Sequence, residues 1–393
     1  MKDNFESARE MFPHTNDIVY FNTAAYGPLP EEAKEAIVEN IDLRLAVEKE
    51  DIRQMYALKD TLRQDFANLI GAEARQIGLS MNTSFGLDLA AYGLPLKEGD
   101  EILVSDVEFP AAVYAWRGAA ETKNLKLTFV KSTDRQFDLK ELEKAVSDKT
   151  KVISVSFVQF FDGYKINLAG VSELCKKHGI YFVVDAIQGV GAEPIKVKEL
   201  GIDILACGCQ KWLLSPYGSG FFYISDSVKD KLIPQSITWY AADWQLNHTN
   251  LFKYDLPYFG TAEKFEAGYY ATLNMLGMKT AIDIIADLGV ENIQKHNHAL
   301  IDRLVSYLKE TEFYKIKSSL VENERSSIFT FTCDNYNLLF KYMLENKIKA
   351  ANREGSVRIS AHLFNNENDI DKLIEVLVVY ENKYKAKAAA GAN

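Results

Sequence analysis

The middle of this 393-residue chain alternates short apolar runs with stretches of helical periodicity, and this alternation limits the folds available to it. The runs are rich in Val, Ile and Phe and mostly lack polar alternation, which is typical of strands buried on both faces. Strands are predicted at residues 100–106, 125–130, 151–158, 181–186, 202–208 and 220–225. The sequence therefore predicts an α/β fold with helices on both faces of a mainly parallel sheet.

One strand–helix–strand unit predicts a local topology. Residues 167–179 place apolar side chains on one helical face, basic residues in the last turn, and Gly179 where helices commonly end. Together with the strands on either side, this helix predicts a right-handed crossover between parallel strands. Ligands of such sheets bind beyond the carboxyl ends of the strands, so residues that follow these ends are candidates for a site.

The pattern changes near residue 255, where longer helical stretches and two strand-like runs, 327–333 and 356–361, indicate a smaller α+β unit. An Ala-rich tail without an apolar face is expected to be disordered. The predicted division is an N-terminal segment (1–16), a large domain (17–254), a small C-terminal domain (255–384) and the tail (385–393).

Composition and charge argue against several kinds of partner. The net charge is −10 without a long basic block, which disfavours nucleic acid and anionic membrane surfaces. No apolar run approaches the roughly 18 residues of a membrane span, and residues 1–17 lack the apolar stretch of a signal peptide. The four cysteines suggest neither a disulfide framework nor a zinc site. We therefore expect a cytoplasmic protein without a metal centre.

Lys211 lies between a small-residue turn and the apolar run 212–214. Burying a charged ammonium group carries a large desolvation free energy. The Lys211 amine is therefore expected either to reach water or to stay buried as a neutral amine that acts as a nucleophile. Asp185 ends the strand at 181–186, where a carboxylate could simply cap a turn. Neighbouring parallel strands would bring the two side chains together. A pyridoxal phosphate site needs this pair, the lysine for a Schiff base and the aspartate for the protonated ring nitrogen.

Other parts of such a site have candidates as well. Asn82, Thr83 and Ser84 precede a helical stretch, and hydroxyls at a helix N-terminus form an anion site, although a plain N-cap explains the same residues. Phe109 follows the strand at 100–106 and could stack on the cofactor ring or pack in the core. Arg358, in a strand-like run, could grip the α-carboxylate of an amino acid or pair with a protein carboxylate.

These motifs resemble the class V aminotransferase family of fold-type I pyridoxal phosphate enzymes, which includes cysteine desulfurases, kynureninase and isopenicillin N epimerase-like proteins. The similarity runs from "FNTAAYGPLP" (21–30) to "VRISAHLFNNENDID" (357–371), and its most specific part is "VVDAIQGVG" followed by "QKWLLSPYGSG". The resemblance implies the fold-type I arrangement of a large and a small domain. It also implies amino acid and oxo acid substrates, and a homodimer with active sites at the subunit boundary.

The resemblance assigns roles to matching positions. Asp185 and Gln188 carry the D-x-x-Q motif, and Lys211 matches the Schiff-base lysine. The remaining matches are Phe109 for ring stacking, Arg358 for the substrate carboxylate, and Thr83 and Ser84 for the phosphate. Asn82, Gln210 and Tyr269 complete the predicted cofactor contacts, and Tyr26 is a candidate for the substrate side of the entrance.

Departures from the family pattern reduce the number of reactions that this chain is expected to catalyse. The loop before Arg358 has no cysteine, so desulfuration through a persulfide is not expected. Gly208 stands where relatives often have a serine or threonine for the phosphate. We predict an aminotransferase. The first alternative is a lyase acting on C–S or similar bonds, or an epimerase, at the same site. A second alternative is a non-catalytic binding protein with this fold. A nicotinamide site is disfavoured, because the nearest G-x-G-x-x-G match, residues 189–194, ends in proline.

Overall fold

The computed structural model describes residues 2–46, 52–134, 136–234, 237–242, 250, 252–268 and 271–391. The helices are α1 (Lys2–Glu10), α2 (Glu31–Leu45), α3 (Ile52–Ile70), α4 (Thr83–Gly93), α5 (Pro110–Lys123), α6 (Leu139–Ala145), α7 (Leu168–His178), α8 (Val197–Leu200), α9 (Thr272–Leu288), α10 (Val290–Lys309), α11 (Tyr336–Glu345) and α12 (Glu367–Gly391). The strands are β1 (Val19–Tyr20), β2 (Ile77–Ser80), β3 (Glu101–Ser105), β4 (Lys126–Val130), β5 (Thr150–Ser156), β6 (Tyr181–Asp185), β7 (Ile204–Gly208), β8 (Gly220–Ile224), β9 (Lys315–Ile316), β10 (Ile328–Thr332), β11 (Ile348–Lys349), β12 (Ala351–Arg353) and β13 (Ser356–Ser360).

The large sheet has seven strands in the described part of the chain, in the order β2-β8-β7-β6-β5-β3-β4. Neighbours from β7 to β4 are parallel, and only β8 runs against both strands beside it. Every strand predicted in the middle of the chain is confirmed, with small differences at the ends. β2 is the member of this sheet that sequence reasoning missed.

The predicted crossover between β5 and β6 is confirmed, and its helix ends where local chemistry dictates. The Asn167 side chain accepts a hydrogen bond from the Gly170 N–H at 3.1 Å, which caps the start of α7. Gly179 ends α7 with φ of 65°, a left-handed conformation that glycine adopts without strain. β5 and β6 pair in parallel, so that Ser156 lies beside Asp185 at their carboxyl ends.

Both faces of the large sheet are buried, because alternate residues of each central strand enter different apolar clusters. Val183 of β6 and Ile204 of β7 pack in one cluster with α4 and α5. Val184 and Leu205, the next residue in each strand, pack in the other cluster, with α3, α7 and α9. This double burial explains why these strands are nearly continuous apolar runs in the sequence.

A second, antiparallel sheet in the C-terminal part has the order β12-β13-β10-β9 and packs against α10, α11 and α12. β1 pairs in parallel with β11, so a strand near the N-terminus joins this part of the molecule. The domain boundaries at 16, 254 and 384 and the disorder of the tail stay predictions; α12 runs through Gly391. Among the described helices, none has the length and apolar character needed to cross a bilayer.

Candidate active site

The carboxyl ends of β6 and β7 bring Asp185 and Lys211 into one site. Asp185 is paired with Ala206 in the parallel ladder, and Lys211 follows the end of β7 in a tight turn. An N-terminal loop packs on this turn, since the Gly27 N–H donates to the Gln210 carbonyl oxygen at 2.8 Å. A Cβ added to Gly27 would lie 2.2 Å from the Lys211 carbonyl oxygen, so only glycine allows this close approach.

The Lys211 amine is buried rather than extended into water, with only 9% of the residue exposed. Burial lowers its pKa to about 8, while the Asp185 carboxylate opposes that change and the Arg358 charge adds to it. Its Nζ lies 5.5 Å from the centroid of the Phe109 ring. A substantial fraction of this amine is therefore neutral near physiological pH, as a nucleophile requires. The alternative that the Lys211 amine extends into water does not fit this burial.

Asp185 is an equally buried carboxyl group at the end of β6. Its Oδ1 accepts the Ile187 N–H at 3.1 Å. Burial raises its pKa to about 6, although that backbone hydrogen bond and the Lys211 charge act in the opposite direction. At neutral pH this side chain is largely ionised in a site of low polarity, so it would bind a protonated ring nitrogen strongly.

Phe109 precedes α5 and is 40% exposed, which does not fit the alternative that it is a core residue. Its ring packs edge-on against Phe160, with centroids 5.2 Å apart. The Lys211 Nζ faces the same ring, so a flat ligand attached to that amine would find an aromatic face beside it.

The predicted phosphate residues form the first turn of α4. Thr83 is buried, and its Oγ1 accepts the Gly208 N–H at 2.9 Å, which leaves the hydroxyl hydrogen free to donate. Ser84 is exposed in the same turn. Asn82 is the N-cap, and its side chain accepts the Phe85 N–H at 2.9 Å, as the simpler interpretation of this residue predicts. The start of α4 thus presents N–H groups and hydroxyls that could bind an anion.

Gly208, the departure from the family pattern, lies close to two side chains of the site. A Cβ at this position would lie 2.5 Å from Gln210 Oε1 and 3.1 Å from Thr83 Oγ1. A serine or threonine there would push these two side chains away. Gln210 Oε1 is itself buried without a hydrogen-bond partner among the described residues, so it could accept from a bound ligand.

Gln188 ties together the turns that carry the site. Its amide nitrogen donates to the Ala24 carbonyl at 3.1 Å, and its Oε1 accepts the Trp212 indole N–H at 3.0 Å. The side chain is therefore held in one orientation, between the turn after β6 and the turn after β7. Contact between Gln188 and a cofactor stays a prediction.

Arg358 lies on β13 and is only 1% exposed, yet no carboxylate of the described residues pairs with it. Nη1 donates to the Phe160 carbonyl, whereas Nε and Nη2 are buried without a partner. Burial, with a smaller effect of the Arg353 charge, lowers the pKa of Arg358 to about 9. Among the described residues the alternative of an internal ion pair for Arg358 finds no support, and its two unpaired nitrogen atoms fit the carboxylate of a ligand.

Tyr26 is half-buried beside the Lys211 turn, and its hydroxyl contacts the Lys349 amine. This contact holds the pKa of Tyr26 below its usual value, with burial acting in the opposite direction. The Tyr20 hydroxyl donates to the Tyr26 carbonyl at 2.7 Å. Tyr269, the remaining predicted cofactor contact, lies outside the described residues.

Glu108 is a residue of the site that sequence reasoning missed. Its carboxyl group is buried next to Phe109 and accepts the Ser156 N–H at 3.0 Å and the Gln159 amide at 3.1 Å, and the Ser156 hydroxyl contacts its other oxygen. Burial raises its pKa to about 7, and the nearby Asp185 charge adds to that change. Its position directly after a strand end was the one available signal, because its partners lie about fifty residues away in sequence.

The geometry fits pyridoxal phosphate. A buried amine faces an aromatic ring, a buried carboxylate lies beside it, and a helix N-terminus carries an oriented hydroxyl. The orphaned Gln210 oxygen and the two free nitrogen atoms of Arg358 are the unsatisfied polar atoms that a cofactor and an amino acid would complete.

The family described as aminotransferase class-V matches residues 19–373. An "uncharacterized aminotransferase YcbU" of Bacillus subtilis (strain 168) is 25% identical, over 94% of this chain and 96% of its own. A probable cysteine desulfurase of Pyrococcus abyssi is 30% identical, over 78% of this chain and 77% of its own. Isopenicillin N epimerase of Streptomyces clavuligerus is 28% identical over 60% of this chain and 61% of its own.

Solved structures have the same architecture. The apo structure of a cysteine desulfurase from Thermococcus onnurineus NA1 superimposes with a TM-score of 0.84, at 25% identity over 95% of this chain and 96% of that one. The cystine C–S lyase C-DES, in complex with cysteine persulfide, gives 0.82 at 22% identity over 93% and 98%. These similarities confirm the predicted fold class.

Proposed function

Because the chain belongs to the class V aminotransferase family, we propose that it transfers the amino group of an amino acid to a 2-oxo acid. The family membership confirms the cofactor predicted from the sequence, pyridoxal 5′-phosphate. The observation that carries the proposal is the buried Lys211 amine, placed between Asp185 and Phe109 with its pKa lowered to about 8. This cofactor, when bound, supplies an electron sink for bond cleavage at Cα of an amino acid.

Each residue of the site has a role in this proposal. Lys211 binds the cofactor covalently through its ε-nitrogen, and Asp185 holds the proton on the ring nitrogen. Phe109 covers one face of the ring. Thr83 and Ser84 bind the phosphate at the start of α4, and Asn82 keeps that turn in place. Gln188 and Gln210 contact the ring substituents, and Tyr269 keeps its predicted role as a further cofactor contact.

Lys211 would have a second role as the group that moves a proton in the site. The free amine can move a proton at Cα, and a pKa of about 8 suits a group that accepts and donates near neutral pH. Arg358 binds the α-carboxylate and so fixes which bond of Cα lies across the ring. Tyr26 lines the substrate side, where Lys349 orients its hydroxyl.

Two features separate amino transfer from desulfuration. The connection between β12 and β13 is residues 354–355, a tight turn without a cysteine. All four cysteines are buried free thiols, and burial raises the pKa of Cys207 and Cys209, the two nearest to Lys211 in sequence. A thiolate that could take sulfur from a substrate is thus missing from the described part of the chain. A lyase that needs no cysteine, or an epimerase, is the second candidate, supported by the desulfurase and epimerase relatives.

The proposal includes a homodimer with active sites at the subunit boundary. Several large apolar side chains are exposed, and a second subunit could cover them: Met81, Tyr217, Trp239, Tyr254 and Tyr258. The buried free thiols and the acidic net charge support a cytoplasmic location and small-molecule substrates rather than nucleic acid or membrane.

The reaction can be tested by mixing the holo-protein with each common amino acid and following the visible absorption of the bound cofactor. Conversion to the amine form of the cofactor, with an equal amount of oxo acid released, is the expected result. Release of ammonia with an oxo acid and no amine form would instead indicate a lyase. Loss of optical activity in the amino acid pool without either product would indicate an epimerase.

Lys211→Ala tests the covalent link itself. Treatment with borohydride should fix the cofactor to the natural chain but not to this variant, because the Lys211 amine is the one that faces the Phe109 ring. Lys123→Ala is a matched control: this half-buried lysine donates to the Tyr92 carbonyl at 2.6 Å and has no part in the site. A cofactor still fixed to the chain of Lys211→Ala would contradict the assignment.

A further inference from the structure

Three cationic side chains, Lys349, Arg353 and Arg358, lie on the consecutive strands β11, β12 and β13. In the antiparallel pairing of β12 with β13, Ala351 is opposite Arg358 and Arg353 is opposite Ser356. Opposed residues share a face of the sheet, and so do residues two apart in one strand. Arg353 and Arg358 are therefore diagonal neighbours on one face, with Cα atoms about 7–8 Å apart.

This face is turned toward Lys211. Arg358 contacts the carbonyl of Phe160, and the Phe160 ring packs on Phe109, which the Lys211 amine faces. The Arg353 charge contributes to lowering the pKa of both Lys211 and Arg358, so it lies near enough to act on both groups. The positive charge of Arg353 is thus part of the electrostatic environment of the site.

Lys349 approaches from the side of the N-terminal loop. It is paired with Tyr20 in the ladder between β1 and β11. Its Nζ contacts the Tyr26 hydroxyl and lies 5.1 Å from the centroid of that ring and 5.6 Å from that of Tyr20. The amine is therefore held over two aromatic rings on the substrate side of Lys211.

The three cations lack a counter-ion in the part of the chain that the structure describes. Among the described residues, no carboxylate forms an ion pair with Lys349, Arg353 or Arg358. Arg353 makes a single hydrogen bond, to the Asn352 carbonyl at 3.1 Å. The α-carboxylate of a substrate would neutralise Arg358 alone and would leave the other two cations without a counter-ion. Because like charges at this spacing repel, a second negative charge on the substrate would be favoured.

We propose that the amino acid substrate carries an acidic side chain and that Arg353 binds its second carboxylate. The inference rests on the proposed amino acid chemistry at Lys211. The division of roles follows from burial: Arg358 is enclosed next to Lys211 and takes the α-carboxylate, whereas Arg353 is exposed and can reach the distal one. Aspartate and glutamate are the common amino acids of this chemical class.

The test compares acidic amino acids with their neutral isosteres on the holo-protein. Glutamate and aspartate should convert the cofactor with a kcat/KM roughly ten- to hundredfold above that of glutamine and asparagine, as expected for one charge-assisted hydrogen-bonded contact. Arg353→Met should remove this preference, so that glutamate and glutamine convert the cofactor with similar kcat/KM. Arg353→Lys keeps the charge without the planar fork and should retain part of the preference.

Arg303→Met is the matched control, because Arg303 is a partly exposed arginine of α10 whose Nε lies 2.6 Å from Asp371 Oδ1. This variant should keep the full preference for acidic substrates. A binding measurement that needs no chemistry completes the test. Glutarate should bind the holo-protein at least about tenfold more tightly than butyrate in calorimetry, and Arg353→Met should abolish that difference.

The outcomes separate this inference from the proposed function. If neutral amino acids convert as fast as acidic ones, or if Arg353→Met weakens both classes equally, the inference is wrong and the aminotransferase proposal stands. If no amino acid converts the cofactor but glutarate still binds through Arg353, the proposed function is wrong and recognition of an acidic ligand stands.

Discussion

Replacing Arg358 with methionine should separate the stability of this protein from its ability to bind amino acids. The Arg358 side chain is 1% exposed, with one hydrogen-bonded nitrogen and two that have no partner. Natural sequences rarely keep a charge in such surroundings, because desolvation of an unpaired ion is unfavourable. In the cofactor-free protein this residue is expected to be destabilising, and the binding of a carboxylate should relieve the penalty.

The size of the penalty follows from the pKa of Arg358. At about 1.4 kcal/mol per pH unit, a pKa lowered from 12.5 to about 9 corresponds to a penalty on the order of 5 kcal/mol for the charged form. Methionine removes the charge and keeps most of the apolar stem, but it leaves the Phe160 carbonyl without a donor, which costs about 1–3 kcal/mol. We expect the unfolding free energy of the cofactor-free variant to be about 2–4 kcal/mol higher.

Amino acid binding should change in the opposite direction. Loss of a buried charge pair with the α-carboxylate should weaken binding by about 3 kcal/mol, roughly 100-fold. Urea denaturation of the cofactor-free proteins at pH 7.5 measures the first effect. Titration of the holo-proteins with an amino acid, followed by the visible absorption, measures the second.

The pH dependence gives an independent check. Because the folded pKa of Arg358 lies below its unfolded value, the unfolded chain holds the proton between about pH 9 and 12.5, where the folded protein has released it. The penalty is therefore fully present below about pH 9 and is relieved as the pH rises further. The stability difference between the variant and the natural protein should shrink by up to about 1.4 kcal/mol per pH unit above that point.

Arg63→Met is the matched control, because Arg63 is a buried arginine with counter-ions. Its Nη2 lies 2.8 Å from Glu266 and 3.3 Å from Glu263, and its Nη1 lies 2.8 Å from Asp60. Removing this guanidinium should lower the unfolding free energy by about 3–5 kcal/mol. If Arg358→Met lowered stability to the same extent, or if it bound amino acids as well as the natural protein, the account of Arg358 would be refuted.

Two further substitutions test the surroundings of Lys211. Glu108→Gln should flatten the pH dependence of stability in the cofactor-free protein. Burial raises the Glu108 pKa to about 7, so the natural protein loses stability as the pH rises from the ordinary glutamate pKa of 4.5 toward 7. If the urea midpoint changes equally between pH 5 and pH 7.5 in both proteins, this explanation is contradicted. Gly27→Ala should lower the affinity for pyridoxal phosphate roughly tenfold or more and reduce stability by about 2 kcal/mol, because the added Cβ would lie 2.2 Å from the Lys211 carbonyl oxygen. Gly260→Ala is the control and should change neither property, because nothing lies within 4 Å of an added Cβ there. Equal effects of the two variants would rule out the steric explanation.

Much of the large sheet could be predicted because its information is local. The apolar runs at 151–158 and 181–186 and the helix between them carry their own periodicity and end signals, and the structure has them as β5, β6 and α7. Once the strands are parallel and adjacent, the meeting of Asp185 and Lys211 at one edge follows from topology alone. β2 was missed because four residues carry too little periodicity to identify a strand.

The contacts that give the site its chemistry could not be predicted in the same way. Gln188 meets Ala24 across 164 positions, and Arg358 meets Phe160 across 198, so no local pattern announces either contact. In the sequence, Glu108 resembles an ordinary charged loop residue. Only the structure shows that the end of β5 buries it, where the Ser156 N–H donates to its carboxylate. The glycine at position 208 was a departure without a reason until the positions of Thr83 and Gln210 supplied one.

The sequence by itself predicted the central strands of the large sheet, the meeting of Asp185 and Lys211 at one edge, and the kind of cofactor, because these depend on periodicity and on side-chain chemistry that can be identified residue by residue. Only the tertiary structure decided that Arg358 meets no carboxylate of the described residues, that Arg353 lies beside it, and that burial lowers the pKa of Lys211 to about 8. The physical reason is that charge and hydrogen bonding in a site depend on which groups burial brings together, and burial is a property of the folded chain.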